Sequence, residues 1–131
     1  KDNTEELHIF DTFTGILNEQ AEEKYLDGDY RGTLQEVKSY LGDDPIYHIG
    51  DICKTKTEIG KVNFIHIDLD VYKPLAGCLP YFYKILNGVM LVSNYDREHQ
   101  GVIKAINEFK KPLKTYSRFV FYENYNISNQ R

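Results

Sequence analysis

The hydrophobic positions of this chain follow two periods that alternate along it. Short apolar runs at Leu7-His-Ile-Phe10, Pro45-Ile-Tyr-His-Ile49, Phe64-Ile-His-Ile67, Val89-Met-Leu-Val92 and Tyr116 to Tyr122 predict strands. Between them apolar residues recur at helical spacing: Leu34, Val37 and Leu41, then Leu75, Leu79, Phe82 and Leu86, then Val102, Ala105, Ile106 and Phe109. Strands alternating with helices predict an α/β fold with a mostly parallel sheet covered on both faces. The stretch from Phe64 to Asn94 organises the rest. Its first apolar run ends in Asp68 and Asp70, a crossover helix follows, and the second run ends in Ser93, Asn94 and Tyr95. Such a βαβ unit places its two polar strand ends side by side, at the edge where open α/β sheets bind ligands.

Punctuation sharpens the element ends. Thr33-Leu-Gln-Glu36 is a capping box opening a helix, and Gly42 suits the left-handed residue that closes it after Leu41. Pro80 falls inside the crossover helix, where it removes a backbone donor, so the helix should kink there or begin near it. Lys110-Lys111-Pro112 closes the last helix, with both charges at the negative end of its dipole. The acidic, glycine-broken segment 18–32 shows no firm period except around Glu19 to Tyr25 and is expected to form a mobile surface loop or lid. Residues 124–131 should fray. No internal repeat appears.

Composition narrows the classes. A chain of 131 residues fits a single domain over 1–131. No apolar run is long enough to cross a bilayer, and a net charge of −4 with scattered lysines offers no field for nucleic acid. Cys53 and Cys78 lack metal-ligand spacing, so a reduced, cytoplasmic chain is the expectation. The chain starts at Lys1 without a signal-peptide pattern, which fits a trimmed or partial polypeptide.

Three strands end in an acid: Asp11, Asp51, and Asp68 with Asp70. One such carboxylate commonly just caps the next loop; three converging on one edge point to a site that binds ribose hydroxyls, an adenine amino group or a cationic ligand. Of the histidines, His66 reads as a hydrogen-bonded core residue, His8 and His48 as strand residues, and His99 as a candidate acceptor contact. Tyr72 and Tyr95 are the tyrosines nearest the site.

The segments Phe10-Asp-Thr-Phe-Thr-Gly-Ile-Leu17, Gly50-Asp-Ile52, His66-Ile-Asp-Leu-Asp-Val-Tyr72 and Gly101-Val-Ile-Lys-Ala-Ile-Asn-Glu-Phe109 resemble the macrocin O-methyltransferase family. That family belongs to the class I S-adenosylmethionine-dependent methyltransferases that act on sugar hydroxyls. The likeness runs from about Phe10 to Phe109, and its most specific strings are Asp-Thr-Phe-x-Gly and Ile-Asp-x-Asp-x-Tyr. It implies a Rossmann-like three-layer sandwich, with S-adenosylmethionine as donor and a sugar or glycan-like small molecule as acceptor. By the resemblance Asp11 takes the ribose hydroxyls and Asp51 lies near the adenine, with Phe13 and Ile52 counted among the donor contacts. Asp68 is then general base and, with Asn94, a weak magnesium site.

Two departures accompany the likeness. The family's first strand and glycine-rich loop, which receives the amino-acid end of the donor, are expected before Leu7 and are absent. The two aspartates that complete the family's magnesium site read Ser93-Asn94 here, and neutral oxygens hold such a cation weakly. The expectations are therefore weak donor binding by this chain alone and no strong magnesium site. An incomplete sheet edge could also be closed by a homodimer. A non-catalytic methyltransferase-like binding module is the alternative. A minor one is a haloacid-dehalogenase-type phosphatase, since Asp68-Leu-Asp70-Val71 matches its D-x-D-x-[TV] motif.

Overall fold

The computed structural model describes residues 6–56 and 59–125. The chain divides into two compact units, 1–57 and 58–131. No helix among the described residues is long and apolar enough to cross a membrane.

In the N-terminal unit, β1 (His8–Asp11) and β2 (Ile46–Ile49) pair in parallel with Asp11 opposite Ile49. The ladder runs one step further, Gly50 N–H donating to Asp11 O at 2.9 Å, which carries both strand ends to one edge. Helix α1 (Leu34–Leu41) begins at Thr33 with both halves of the capping box formed and stops at Gly42, φ 79°. Its apolar stripe lies only partly covered, and Leu41 is 49% exposed. A short helix, α2 (Ile52–Thr55), was not legible in the polar segment before the central strand. It forms because the Asp51 carboxylate accepts the Cys53 N–H at 3.0 Å and caps the turn.

The acidic segment holds a 3-10 turn over Asn18–Gln20 rather than an α-helix around Glu19 to Tyr25. It is tied at its base: Ile16 N–H donates to Asp29 O and Gly28 N–H to Ile16 O, at 2.9 and 2.7 Å. Gly15 sits at this pinch with φ 86°, and a Cβ there would lie 2.5 Å from Gly28 O. Only glycine fits.

The C-terminal unit contains β3 (Val62–Ile67), α3 (Tyr72–Ile85), β4 (Leu86–Val92), α4 (Gln100–Glu108), β5 (Lys114–Tyr116) and β6 (Phe119–Asn124). The sheet order is β3-β4-β6-β5. Only β3–β4 is parallel; β6 runs antiparallel to β4 and to β5. The run expected as one strand from Tyr116 to Tyr122 is a hairpin, turned at Ser117 with φ 55°. Asn124 closes β6, donating through Nδ2 to Tyr83 O at 2.8 Å. From residue 126 on, the expected frayed tail lies outside the described residues.

Helix α3 starts three residues ahead of the expected Leu75 and passes through Pro80 to Ile85. Leu86 is both its C-cap and the first residue of β4, so the connection is almost nil. Leu75, Cys78, Leu79 and Phe82 of α3 are buried together with Val102, Ala105 and Ile106 of α4 and with Ile67, Met90, Val92, Val120 and Tyr122 of the sheet. This is the hydrophobic core of the unit, and α3 and α4 pack on each other beside it.

β3 departs from expectation. A buried central strand was foreseen, but only Ile67 is buried and Phe64 is 59% exposed. The reason is position. Among the described residues β3 is an edge strand paired to β4 alone. Phe64 and His66 also alternate onto the sheet face opposite buried Ile67.

The capping box gives a pH prediction. The Thr33 backbone N–H, then its hydroxyl, hold the Glu36 carboxyl below its usual range. A depressed folded pKa contributes stability that is present above the unfolded value and lost as pH falls through the folded one. Acid titration followed by helical circular dichroism should therefore show loss below pH ~4 that Glu36→Gln removes; an identical titration in the variant would sink this assignment.

Candidate functional site

Each unit carries one acid cluster at its strand ends. In the N-terminal unit Asp11 and Asp51 both act as local caps. Asp11 Oδ1 accepts the Phe13 N–H at 3.0 Å, and Asp51 Oδ1 accepts both the Cys53 N–H at 3.0 Å and Gln20 Nε2–H at 2.8 Å. The parallel pairing of β1 and β2 does bring the two acids to one edge, with Ile52 part-buried in the first turn of α2. Phe13 is buried in a left-handed conformation, φ 59°, which is uncommon outside glycine and marks a position held by its surroundings. Gln20, a buried amide that fixes Asp51, left no trace in the sequence reading.

His8 and His48 face each other across this pair, Nδ1 to Nε2 at 2.9 Å, and His8 Nε2 lies 3.1 Å from Glu6 Oε1. Burial, then the neighbouring His8, lowers the His48 pKa. The stacking of Phe10 on His48 at 4.1 Å makes this pair part of the packing.

The C-terminal cluster is denser. Because β3 and β4 are parallel neighbours, joined past their ends by Ser93 N–H to Ile67 O at 2.9 Å, the loop carrying Asp68 and Asp70 lies against Ser93 and Asn94. Asn94 is 5% exposed, with φ 70°. Its Nδ2 donates to Asp68 Oδ1 at 2.8 Å and Leu69 O at 3.1 Å, and lies 3.4 Å from Asp70 Oδ1. His99, from the turn before α4, reaches back with Nε2 3.4 Å from Asp70 Oδ1 and Nδ1 2.7 Å from Asp96 Oδ1. Burial, reinforced by the Asp68 charge, pushes the Asp70 carboxyl above the usual range, while the hydrogen bond from His99 holds Asp96 below it.

The structure thus joins the expected Asp68 and Asn94 and draws in Asp70, and His99, expected only as an acceptor contact, reaches back to Asp70. The spacing Asp96-x-x-His99 just ahead of a helix was the available signal. His66 is not a core residue: it is exposed, although its Nε2 meets Ser93 Oγ at 2.7 Å. Tyr72 OH donates to Glu108 at 2.6 Å and Tyr95 OH to Asn107 at 3.3 Å, so both phenols are tied to α4 or its end. Glu123, the acid a phosphatase site would need, pairs with Val89 towards the opposite end of β4 from Asn94.

No protein-family model matches the chain. No curated protein matches it in sequence. Solved structures do match in shape. The O-methyltransferase NovP superposes with a TM-score of 0.70 at 16% identity, over 92% of this chain and 60% of its own. CalS11, calicheamicin methyltransferase, gives 0.68 at 14%, over 90% and 60%. An apo structure of CalS11, described as TDP-rhamnose 3'-O-methyltransferase in calicheamicin biosynthesis, gives 0.62 at 16%, over 90% and 58%. The fold is therefore the Rossmann-like methyltransferase fold, and the chain spans about 60% of the length of these proteins.

Proposed function

We propose that this chain belongs to an S-adenosylmethionine-dependent O-methyltransferase acting on a hydroxyl of a sugar or glycan-like molecule. The observation that carries the reading is the carboxylate pair Asp68–Asp70 at the parallel strand ends, in a fold shared with O-methyltransferases of which one is described as acting on TDP-rhamnose. The donor would supply an electrophilic methyl group on a sulfonium. In the N-terminal unit, Asp11 and Asp51 each engage their caps through one carboxylate oxygen, Oδ1, a geometry compatible with Oδ2 accepting nucleoside hydroxyl or amino hydrogens. In the C-terminal unit, the Asp68–Asp70 pair takes the acceptor proton. Burial and the neighbouring Asp68 charge raise the proton affinity of Asp70, which suits it to receive that proton. As that proton leaves, the hydroxyl oxygen forms the new O–C bond, the S–C bond breaks and its electron pair stays on sulfur.

The test is transfer of labelled methyl from S-adenosylmethionine to nucleotide-sugar acceptors by the full-length gene product. Wild type is expected to transfer, and Asp70→Asn to lose about 100-fold or more of that rate. Absence of both transfer and donor binding would overturn the reading in favour of the non-catalytic binding module.

A further inference from the structure

Asp68 with the strand-end positions Ser93 and Asn94 is where the family resemblance implies a magnesium ion, and the donor set found there does not fit one. A hard cation takes oxygen ligands, with carboxylates first. What faces these carboxylates is an N–H donor. Asn94 Nδ2 lies 2.8 Å from Asp68 Oδ1, 3.1 Å from Leu69 O and 3.4 Å from Asp70 Oδ1. Turning the amide round would set its oxygen against three other oxygens, so the hydrogen-bonding network itself decides the orientation. The Asn94 side chain is buried, on a backbone at φ 70°.

The neighbouring candidate ligand is also committed, since Ser93 Oγ meets His66 Nε2 at 2.7 Å. On the other side of Asp70, His99 Nε2 lies 3.4 Å away, and its Nδ1 is 2.7 Å from Asp96 Oδ1. Carboxylates only accept, so whichever of these ring nitrogens carries a hydrogen donates it to the acid it faces. Among the described residues no group of three or more His, Cys, Asp or Glu side chains could hold a metal.

We infer that the Asn94 amide and the His99 ring take the place that a divalent cation would take beside Asp68 and Asp70, holding the two carboxylates together by hydrogen bonds, so that this site binds no magnesium. A cation here would have to share Asp68 Oδ1 and Asp70 Oδ1 with the Asn94 amide or reach the carboxylates past it. The inference goes beyond methyl transfer and holds whether or not the chain catalyses it.

Manganese(II), a paramagnetic stand-in for magnesium, tests it on the whole chain. In a titration read by electron paramagnetic resonance, wild type and Asp68→Asn should leave the same amount of free manganese. The double variant Ser93→Asp/Asn94→Asp should gain one site and bind at least tenfold more tightly than wild type. Stoichiometric binding by wild type that Asp68→Asn abolishes would overturn the inference, and this arm needs no acidic variant to fold. A correctly folded double variant that gains no site would overturn it as well, because the Asn94 amide would then not be what excludes the cation. Neither readout depends on activity, so failure here is distinguishable from failure of the methyltransferase reading.

Discussion

Gly88→Ala is expected to destabilise the C-terminal unit by about 3 kcal/mol or more, the upper part of the range for overpacking a close contact. Gly88 lies in β4, whose alternate residues are buried, and β3 bulges between Val62 and Phe64 where it passes this glycine. A Cβ at Gly88 would fall inside van der Waals contact of Asn63 O and 2.9 Å from Asn63 C. Both are backbone atoms, so no rotamer change relieves the clash. Either β3 or β4 must move, and the β3–β4 ladder is what aligns Asp68 with Asn94. Gly60→Ala is the matching control. Gly60 has φ 79° but nothing within 4 Å of its Cβ position, so only the conformational cost of about 1–2 kcal/mol remains. Urea unfolding of the two variants checks the difference. Equal losses would mean that the Asn63 contact yields easily and that the bulge, rather than the glycine, sets the strand spacing.

The second large effect runs the other way. Pro80→Ala is expected to stabilise the same unit by about 2 kcal/mol. Helix α3 continues through Pro80 without a break. There proline lacks the N–H that would bond the Ala76 carbonyl, and its ring crowds that carbonyl, together worth about 3 kcal/mol in a helix interior. Pro80 is exposed, so its removal empties no part of the core. Alanine gives back roughly 0.4–1 kcal/mol by loosening the unfolded chain. The balance favours the variant. A higher urea midpoint at unchanged m-value is the expected result; a lower one would show that the proline packs usefully or that α3 needs its bend.

What the sequence by itself determined is local. The capping box at Thr33, the stop at Gly42, the helical stripes of α3 and α4 and the parallel pairing of β3 and β4 all follow from neighbours within a few residues or from one crossover rule. So did the meeting of Asp68 with Asn94, because two parallel strands joined by a helix must end side by side. Helix α2 was hidden because a single capped turn leaves no period to read. The Tyr116 to Tyr122 run hid a hairpin because Ser117 is only a weak turn former beside Gly, Asn or Asp, and Arg118 gives no turn signal at all. Tertiary structure alone decided the exposure of β3, since the same apolar strand is buried in the middle of a sheet and open at its edge. It also decided the chemistry of the acid pair. A sequence shows that asparagine stands near two aspartates, but only the fold determines which end of the amide faces them and that His99 comes back to Asp70. Those are contacts between side chains on separate segments, and their geometry is set by how the strand ends and loops pack rather than by any spacing along the chain.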